Sequence, residues 1–473
     1  MKLLHTADWH LGKHLSGFSR LREQKNFIAE LCEIADADKV DMVLICGDVY
    51  DSFNPPAKAE QLFYWALHKL SCGGERIVCI ISGNHDSPRR LIAPIPLTLG
   101  QGIIIMGRPG YNIEEILSRQ PGLQKRQKTQ ELKGSLDMMK HAWLGLEHEA
   151  YMEQKKQLNK QSEFISQQIE SPDDEFPDES PDESPDKGWR IGQHRLIRGG
   201  RGYMELEIKQ ERIVLLTLPY PSENRLGRQL VDISFDSDYY REYSSKIGKI
   251  FNDLEQHYRS DTINIAMSHL YVAGGGESES ERRIQAHGEL AVSWEHLPKN
   301  SQYTALGHLH RSQPASRERN AYYAGSPLQY SSRESQPPKS VSLVELAPGL
   351  QPEIELIHLR NITPVEIWVV DGVEQALKKC WNNRERKVWA YLKIRTDCPL
   401  LQSDINKIRS LKNDIISIIP LSSGKYKKEQ QQEFYENLNI IELFAEYYRR
   451  KKDCDPDGEV MKMFARILTE ERA

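Results

Sequence analysis

Three short, mostly apolar runs near the start of the chain, Leu3 to Thr6, Asp41 to Cys46 and Ile77 to Ile81, are strand-length and β-branched. Helical patterns over Gln24 to Asp36 and Ala57 to Leu70 separate them, and a fourth strand pattern, Gly102 to Met106, follows. Strands alternating with helices fold as an open α/β sheet with helices on its faces, and such sheets gather their ligands at the carboxyl ends of the strands. In the second helix, Leu62, Phe63, Ala66, Leu67 and Leu70 recur at helical spacing and form the expected buried stripe.

Each of the first three strands runs out into polar residues that suit a metal. Asp8-Trp9-His10 follows the first and presents a carboxylate and an imidazole together. Gly47-Asp48-Val49-Tyr50-Asp51 follows the second, with Gly47 permitting the tight turn that presents Asp48. A carboxylate can give one oxygen to each of two cations, a role that suits Asp48. Asp51 is read as capping the next loop rather than as a ligand. Gly83-Asn84-His85-Asp86 follows the third strand; Asn84 offers a neutral amide oxygen to a hard cation, and His85 is placed to point past the metals toward a substrate.

The second half repeats the device. Ser268-His269-Leu270 ends the strand pattern Thr262 to Met267, and Gly307-His308-Leu309-His310 ends Tyr303 to Leu306. Residues at i and i+2 of extended chain project the same way, so His308 and His310 can each address one cation of a pair. A lone histidine is ordinarily a surface or core residue; its position inside this series makes His269 a ligand candidate. Elsewhere, His141, His148, His194, His257, His287, His296 and His358 have no partner motif and are expected at solvated surface positions.

Two Asp, one Asn and four His make a mixed oxygen and nitrogen set that suits Mn, Fe or Zn better than an all-oxygen magnesium cage. Two Mn2+ ions are the first choice, with Mg2+, Fe2+ or Zn2+ as alternatives. A pair of cations roughly 3.5–4 Å apart clamps a phosphate and stabilises both attacking and leaving oxygens, so the reaction class is phosphoester hydrolysis.

At 473 residues the chain is longer than one core supports. A second strand-rich stretch, Met204 to about Leu359, includes Ile213 to Leu218, Ala321 to Ala324 and Val341 to Leu346, and with the first it gives a sandwich of two sheets flanked by helices. The expected division is a hydrolase domain from 1–110 and 201–360, an insertion at 111–200, a compact α/β unit at 361–422, and a tether with C-terminal helices at 423–473. The α/β unit reads as strand Val365 to Val370, helix Val373 to Trp381, strand Val388 to Ile394, helix Asp404 to Leu411 and strand Ile415 to Pro420.

The net charge of −5 argues against a nucleic-acid partner until its location is considered. Residues 170–187 hold nine acids against Lys187 alone, a local charge of −8, so the rest of the chain stands at +3. Such a Pro-rich acidic tract cannot bury enough apolar surface to fold and is expected to be a disordered linker. The mildly basic remainder permits a phosphate-backbone partner, and Lys13, Arg20, Arg89 and Arg90 near the motifs point to a polymer. Seven scattered cysteines without Cys-x-x-Cys spacing are expected to be reduced thiols. No apolar run approaches a membrane span and no signal-peptide core precedes the first charges, so a cytoplasmic location is expected.

In this order, Asp8-x-His10, Gly47-Asp48-x-x-Asp51, Gly83-Asn84-His85-Asp86, His269 and Gly307-His308-x-His310 resemble the signature of calcineurin-like metallophosphoesterases. His5 to Gly12, Gly47 to Asp51, Ala305 to His310 and Gly325-Ser326-Pro327 resemble the DNA-nuclease branch of that superfamily. The resemblance implies a four-layer α/β/β/α sandwich with one metal on Asp8, His10, Asp48 and His310 and the other on Asp48, Asn84, His269 and His308. It also implies a catalytic His85 steadied by Asp86. It further implies a coiled-coil ABC-type ATPase partner, a homodimer within a heterotetramer, DNA ends and hairpins as substrates, a DNA-facing cap at 361–422, and docking of the C-terminal helices on the ATPase. An enzyme of the same fold acting on small phosphodiesters, and a catalytically silent DNA-binding scaffold, are the alternatives.

Overall fold

The computed structural model describes residues 1–118, 188–226, 237–275, 291–331, 338–360, 363–396, 399–421 and 440–452, with Glu334 and a few positions between 456 and 464. The architecture belongs to one compact unit, Met1–Leu117 with Gly188–Ala473. The acidic tract at 170–187 lies outside the described residues, as do His141, His148, His287, Cys398 and Cys454.

Two sheets face each other. The first runs, in spatial order, Glu353–His358, Ser340–Glu345, Lys2–Thr6, Met42–Cys46, Ile77–Ile81 and Ile103–Met106. Its last four strands are parallel, with Leu3 opposite Met42 and Met42 opposite Ile77. The second has eight strands in the order Gln313–Ser316, Ala321–Tyr323, Tyr303–Gly307, Ile263–His269, Glu211–Leu218, Tyr203–Ile208, His194–Gly200 and Trp189–Ile191. Its central strands are parallel and end level with one another, His269 pairing with Gly307. Strands covered on both faces must be apolar throughout, which is why Met42–Cys46 and Ile77–Ile81 are buried at every position.

Helices close both outer faces. On Leu21–Ala37 the buried side chains include Phe27, Ile28 and Leu31; on Ala57–Ser71 they are Ala59, Phe63, Ala66, Leu67 and Leu70, with Leu62 half-buried. Trp9, fully buried, meets Phe27 and Phe63 edge-on at 5.7 and 6.5 Å. The second sheet is covered by Ser237–Glu255, whose Tyr243, Ile247, Phe251 and Leu254 recur at helical spacing against it. The layers are therefore α/β/β/α.

Of the expected insertion at 111–200, residues Ile113–Ser118 form a helix, Trp189–Ile191 forms the edge strand of the larger sheet and His194–Gly200 the strand next to it. His194, expected at the surface, is buried with Nε2 3.0 Å from the Glu75 carbonyl oxygen. His257 stacks on Tyr203 at 3.5 Å and His296 Nδ1 lies 2.6 Å from Ser244 Oγ, so neither is simply solvated, whereas His358 is exposed. Among the described residues Cys32, Cys46, Cys72, Cys79 and Cys380 are free thiols, and no helix is long and apolar enough to cross a membrane.

Residues 365–421 form a parallel sheet, Val365–Asp371, Trp389–Arg395 and Ile415–Leu421, with helices Gly372–Asn382 and Gln402–Leu411 on one face. Its other face rests on the hairpin His14–Leu15/Phe18–Ser19: Leu15 packs with Val365 and Ile416, and Phe18 meets Trp389 at 5.1 Å. Trp389 Nε1 donates to Glu23 Oε1 at 2.7 Å, and the Val365 amide donates to Gln329 Oε1 at 2.9 Å. This unit is thus seated four residues beyond His10. In the helix Ile440–Lys452, Phe444 stacks on Phe464 at 3.9 Å.

Candidate metal centre

All seven proposed ligands arrive at the carboxyl ends of parallel strands and all are buried. Asp8 stands two residues beyond Lys2–Thr6, Asp48 two beyond Met42–Cys46 and Asn84 three beyond Ile77–Ile81; His269 closes Ile263–His269 and His308 follows Tyr303–Gly307. Turning out of the strands so abruptly strains the backbone. Asp8, His10, Asp48 and His308 have φ of 54°, 44°, 48° and 114°, a region non-glycine residues seldom occupy and one that collects at functional sites.

The turns also bring main chains into contact. A Cβ on Gly47, at φ 83°, would strike the His269 ring and stand 2.8 Å from the Gly83 Cα; a Cβ on Gly307 would strike the Cys46 carbonyl oxygen. Only glycine lets these strand ends approach so closely.

The side chains form two groups about Asp48. Its Oδ2 lies 3.7 Å from His10 Nε2 and its Oδ1 3.6 Å from His269 Nε2, one oxygen toward each side. On the first side, His10 Nε2 and His310 Nε2 meet at 3.0 Å, and ligand atoms of Asp8, His10 and His310 all lie within 4.8 Å of one another. On the other, Asn84 Oδ1 lies 2.8 Å from His269 Nε2 and 3.3 Å from His308 Nδ1. Asp8 is held by the His308 amide, which donates to both carboxylate oxygens at 3.1 Å.

The proton inventory says what this arrangement fits. His269 Nδ1 donates to the Cys46 carbonyl at 2.9 Å, and burial pushes this imidazole down to about 4, so it is neutral and Nε2 carries a lone pair. That lone pair faces an amide oxygen, with no proton for either. Burial also holds His10 well below its ordinary value, so the short His10–His310 contact is between nitrogens of which at least one is neutral. Burial alone would raise the Asp48 carboxyl, but the charge that the imidazoles of His85, His269 and His10 acquire as the pH falls, together with the His85 amide that donates to Oδ1 at 2.8 Å, outweighs it and holds the group below its ordinary value. Lone pairs converging on a buried point are what divalent cations bind.

His85 Nδ1 donates to the Asp51 carbonyl at 2.8 Å, leaving Nε2 facing the centre, 3.9 Å from Asp48 Oδ2. The residue expected to steady it is engaged elsewhere: the Asp86 carboxylate accepts from the Gly83, Val49 and Tyr50 amides at 2.8–3.1 Å, tying two ligand loops together. Burial and the neighbouring Asp48 raise Asp86 to about 7. The steadying group is the Asp51 backbone, which no side-chain pattern reveals. The Asp51 carboxylate lies 2.9 Å from Lys13 Nζ and 3.5 Å from His10 Nδ1.

Arg225 was not anticipated. Its guanidinium donates to the Gly83 and Asp86 carbonyls, both at 2.8 Å, bracketing Asn84 and His85, and reaches Ser82 Oγ at 3.1 Å. Its ring neighbour is Tyr220, at 5.4 Å. Conversely Arg20, expected to serve a polymer substrate, is buried and committed to Glu23 and the Gln329 carbonyl. Arg89 and Arg90 are exposed, the latter paired with Glu60. Behind His310 lie Glu334 and Lys339, also unanticipated, in a buried ion pair at 2.5 Å.

The model for the calcineurin-like phosphoesterase family matches residues 1–312. Over 473 residues, 99% of this chain and 98% of the relative, the sequence is 31% identical to the SbcD component of the SbcCD nuclease from Bacillus subtilis (strain 168). Identity to the same component from Rhodobacter capsulatus is 29% over 359 residues, 74% of this chain and 68% of the relative. To that of Escherichia coli (strain K12) it is 23% over 454 residues, 94% and 92% of the two chains.

Proposed function

The chain belongs to the calcineurin-like phosphoesterase family and, within it, to the SbcD-type nucleases, and from that premise we propose that it cuts DNA phosphodiester bonds with two divalent cations. The observation that carries this reading is the placement of Asp48, with one carboxylate oxygen toward His10 and the other toward His269. Asp8, His10, Asp48 and His310 hold one cation; Asp48, Asn84, His269 and His308 hold the other. Mn2+ suits these donors best. When bound, the pair supplies Lewis-acid polarisation of the phosphoryl group and lowers the pKa of water.

The protein's own part is orientation and proton handling. Because His85 Nδ1–H is spent on the Asp51 carbonyl, Nε2 is the atom that meets the phosphate or gives a proton to the leaving oxygen. The Asp86 carboxylate and the Arg225 guanidinium both hold the Asn84-His85 loop. The domains follow the same assignment with the nuclease boundaries widened to take in the strands at 189–200: nuclease domain at 1–118 and 188–360, DNA-facing cap at 361–422, and helices at 423–473 that dock on an SbcC-like coiled-coil ATPase. The working assembly holds two copies of this chain and two of the ATPase, and acts on double-strand ends and hairpins as exonuclease and endonuclease. The seating of the 365–421 sheet on the His14–Ser19 hairpin, next to His10, supports the cap assignment.

Cleavage of linear duplex and single-stranded DNA with Mn2+ tests the proposal. The wild type cuts both, and Asp48→Ala and His85→Gln do not. Turnover of a small chromogenic phosphodiester with no DNA cleavage, in the presence of the ATPase, would give the site to a small-molecule esterase instead.

A further inference from the structure

His310 Nε2 faces His10 across 3.0 Å, and its other nitrogen, Nδ1, faces Glu334 Oε1 at 3.8 Å, an ion-pair separation. Glu334 is not alone. Lys339 Nζ donates to Glu334 Oε2 at 2.5 Å, to Ser326 Oγ at 2.8 Å and to the His310 carbonyl at 2.9 Å, and the Ser326 amide donates to that same carbonyl at 3.1 Å. The Glu334 and Lys339 side chains are 3% and 8% exposed. One lysine thus holds both the main chain of His310 and the carboxylate addressing its ring.

A buried ion pair is a poor way to gain stability, because desolvation offsets most of the Coulomb attraction and apolar residues of the same size do as well or better. Its position beneath one histidine of the centre calls for another explanation. A carboxylate on the far nitrogen of a metal-binding imidazole fixes the tautomer and ring orientation and raises its basicity toward the cation. His269, by contrast, has a neutral backbone carbonyl in that place.

We propose that Glu334, braced by Lys339, is a positioning residue for the cation held by His310, so that the half-site of Asp8, His10 and His310 binds its cation more tightly than that of Asn84, His269 and His308. This rests on His310 being a ligand. Gln329 extends the brace: its Nε2 donates to the Glu334 carbonyl at 3.0 Å while its Oε1 accepts the Val365 amide, where the three-stranded sheet begins. The brace is therefore continuous with the seat of that sheet.

The test is direct Mn2+ binding to the full chain, read from the loss of the free-ion electron paramagnetic resonance signal. Glu334→Gln, which keeps the shape and removes the charge, should weaken the tighter class of sites about 10- to 100-fold. Glu334→Asp should recover part of the loss, and the weaker class should hardly change. The double variant Glu334→Gln with Lys339→Met removes both charges and leaves neither group stranded, so it carries the test if the single variant misfolds. Folded variants with wild-type Mn2+ affinity would overturn the inference. His310→Gln separates the premise: if it also binds Mn2+ as the wild type does, the ligand assignment itself has failed, whereas a loss there without one in Glu334→Gln removes the brace alone.

Discussion

Gly307→Ala probes the joint between the two sheets. The added methyl group enters space held by the Cys46 carbonyl oxygen and stands 2.9 Å from His269 Nδ1. That carbonyl accepts the His269 Nδ1–H at 2.9 Å, so the strand ends must part and the hydrogen bond lengthens or breaks. Overpacking a fixed interior costs about 1–3 kcal/mol, and a lost hydrogen bond about 1 kcal/mol more. The expected loss is about 2–4 kcal/mol in urea unfolding without metal, accompanied by weaker Mn2+ binding because His269 loses its orientation. Gly17→Ala is the control: at φ 89° with nothing within 4 Å, it meets only the backbone cost of about 1 kcal/mol and should leave Mn2+ binding unchanged. Equal stability losses in the two variants, or intact metal binding in Gly307→Ala, would refute the close-approach argument.

Arg225→Met should lower kcat for DNA cleavage at least about tenfold, since it frees the loop carrying Asn84 and His85; Arg225→Lys should not restore it, because one ammonium cannot span the carbonyls of Gly83 and Asp86 and the Ser82 hydroxyl. Steady-state kinetics checks both. Glu205 is buried between Arg198 and Arg259. Burial would raise its carboxyl, but the hydrogen bonds from Arg259 and Arg198 hold it below its ordinary value of 4.5. Its stabilisation is therefore present above that value and is lost as pH falls through the folded-state value. Glu205→Gln should cost about 1–2 kcal/mol at pH 7, and the gap to wild type in unfolding titrations should close below pH about 4.5.

Strand ends and their polar turns are local features, and sequence pattern located them well. The runs ending before Asp8, Asp48, Asn84, His269 and His308 are strands within one or two residues of their expected limits, because a strand buried on both faces must be apolar and must stop where polar side chains begin. The helix Ser237–Glu255 carries a readable pattern in Tyr243, Ile247, Phe251 and Leu254, but its polar flanks conceal it. The strands Trp189–Ile191 and His194–Gly200 fall within the expected insertion because short, partly exposed strands at the end of a sheet give a weak signal beside an acidic tract.

What the pattern could not supply was the support behind the ligands. Arg225, Glu334 and Lys339 stand far in sequence from the side chains they brace or lack any motif, and the group holding His85 is a backbone carbonyl. Sequence adjacency places Asp86 beside His85, yet its carboxylate turns to three amides of the ligand loops. The positive φ values at Asp8, His10, Asp48 and His308 are likewise consequences of the assembled fold, which holds a strained local geometry that no single segment prefers.

The central claim is that Asp48 joins two cations, and Mn2+ titration of the wild type and Asp48→Asn by electron paramagnetic resonance tests it most directly. The account predicts two Mn2+ bound per wild-type chain with an exchange-coupled spectrum, and loss of that coupling in Asp48→Asn. One Mn2+ per wild-type chain, or two that remain magnetically independent, would contradict it.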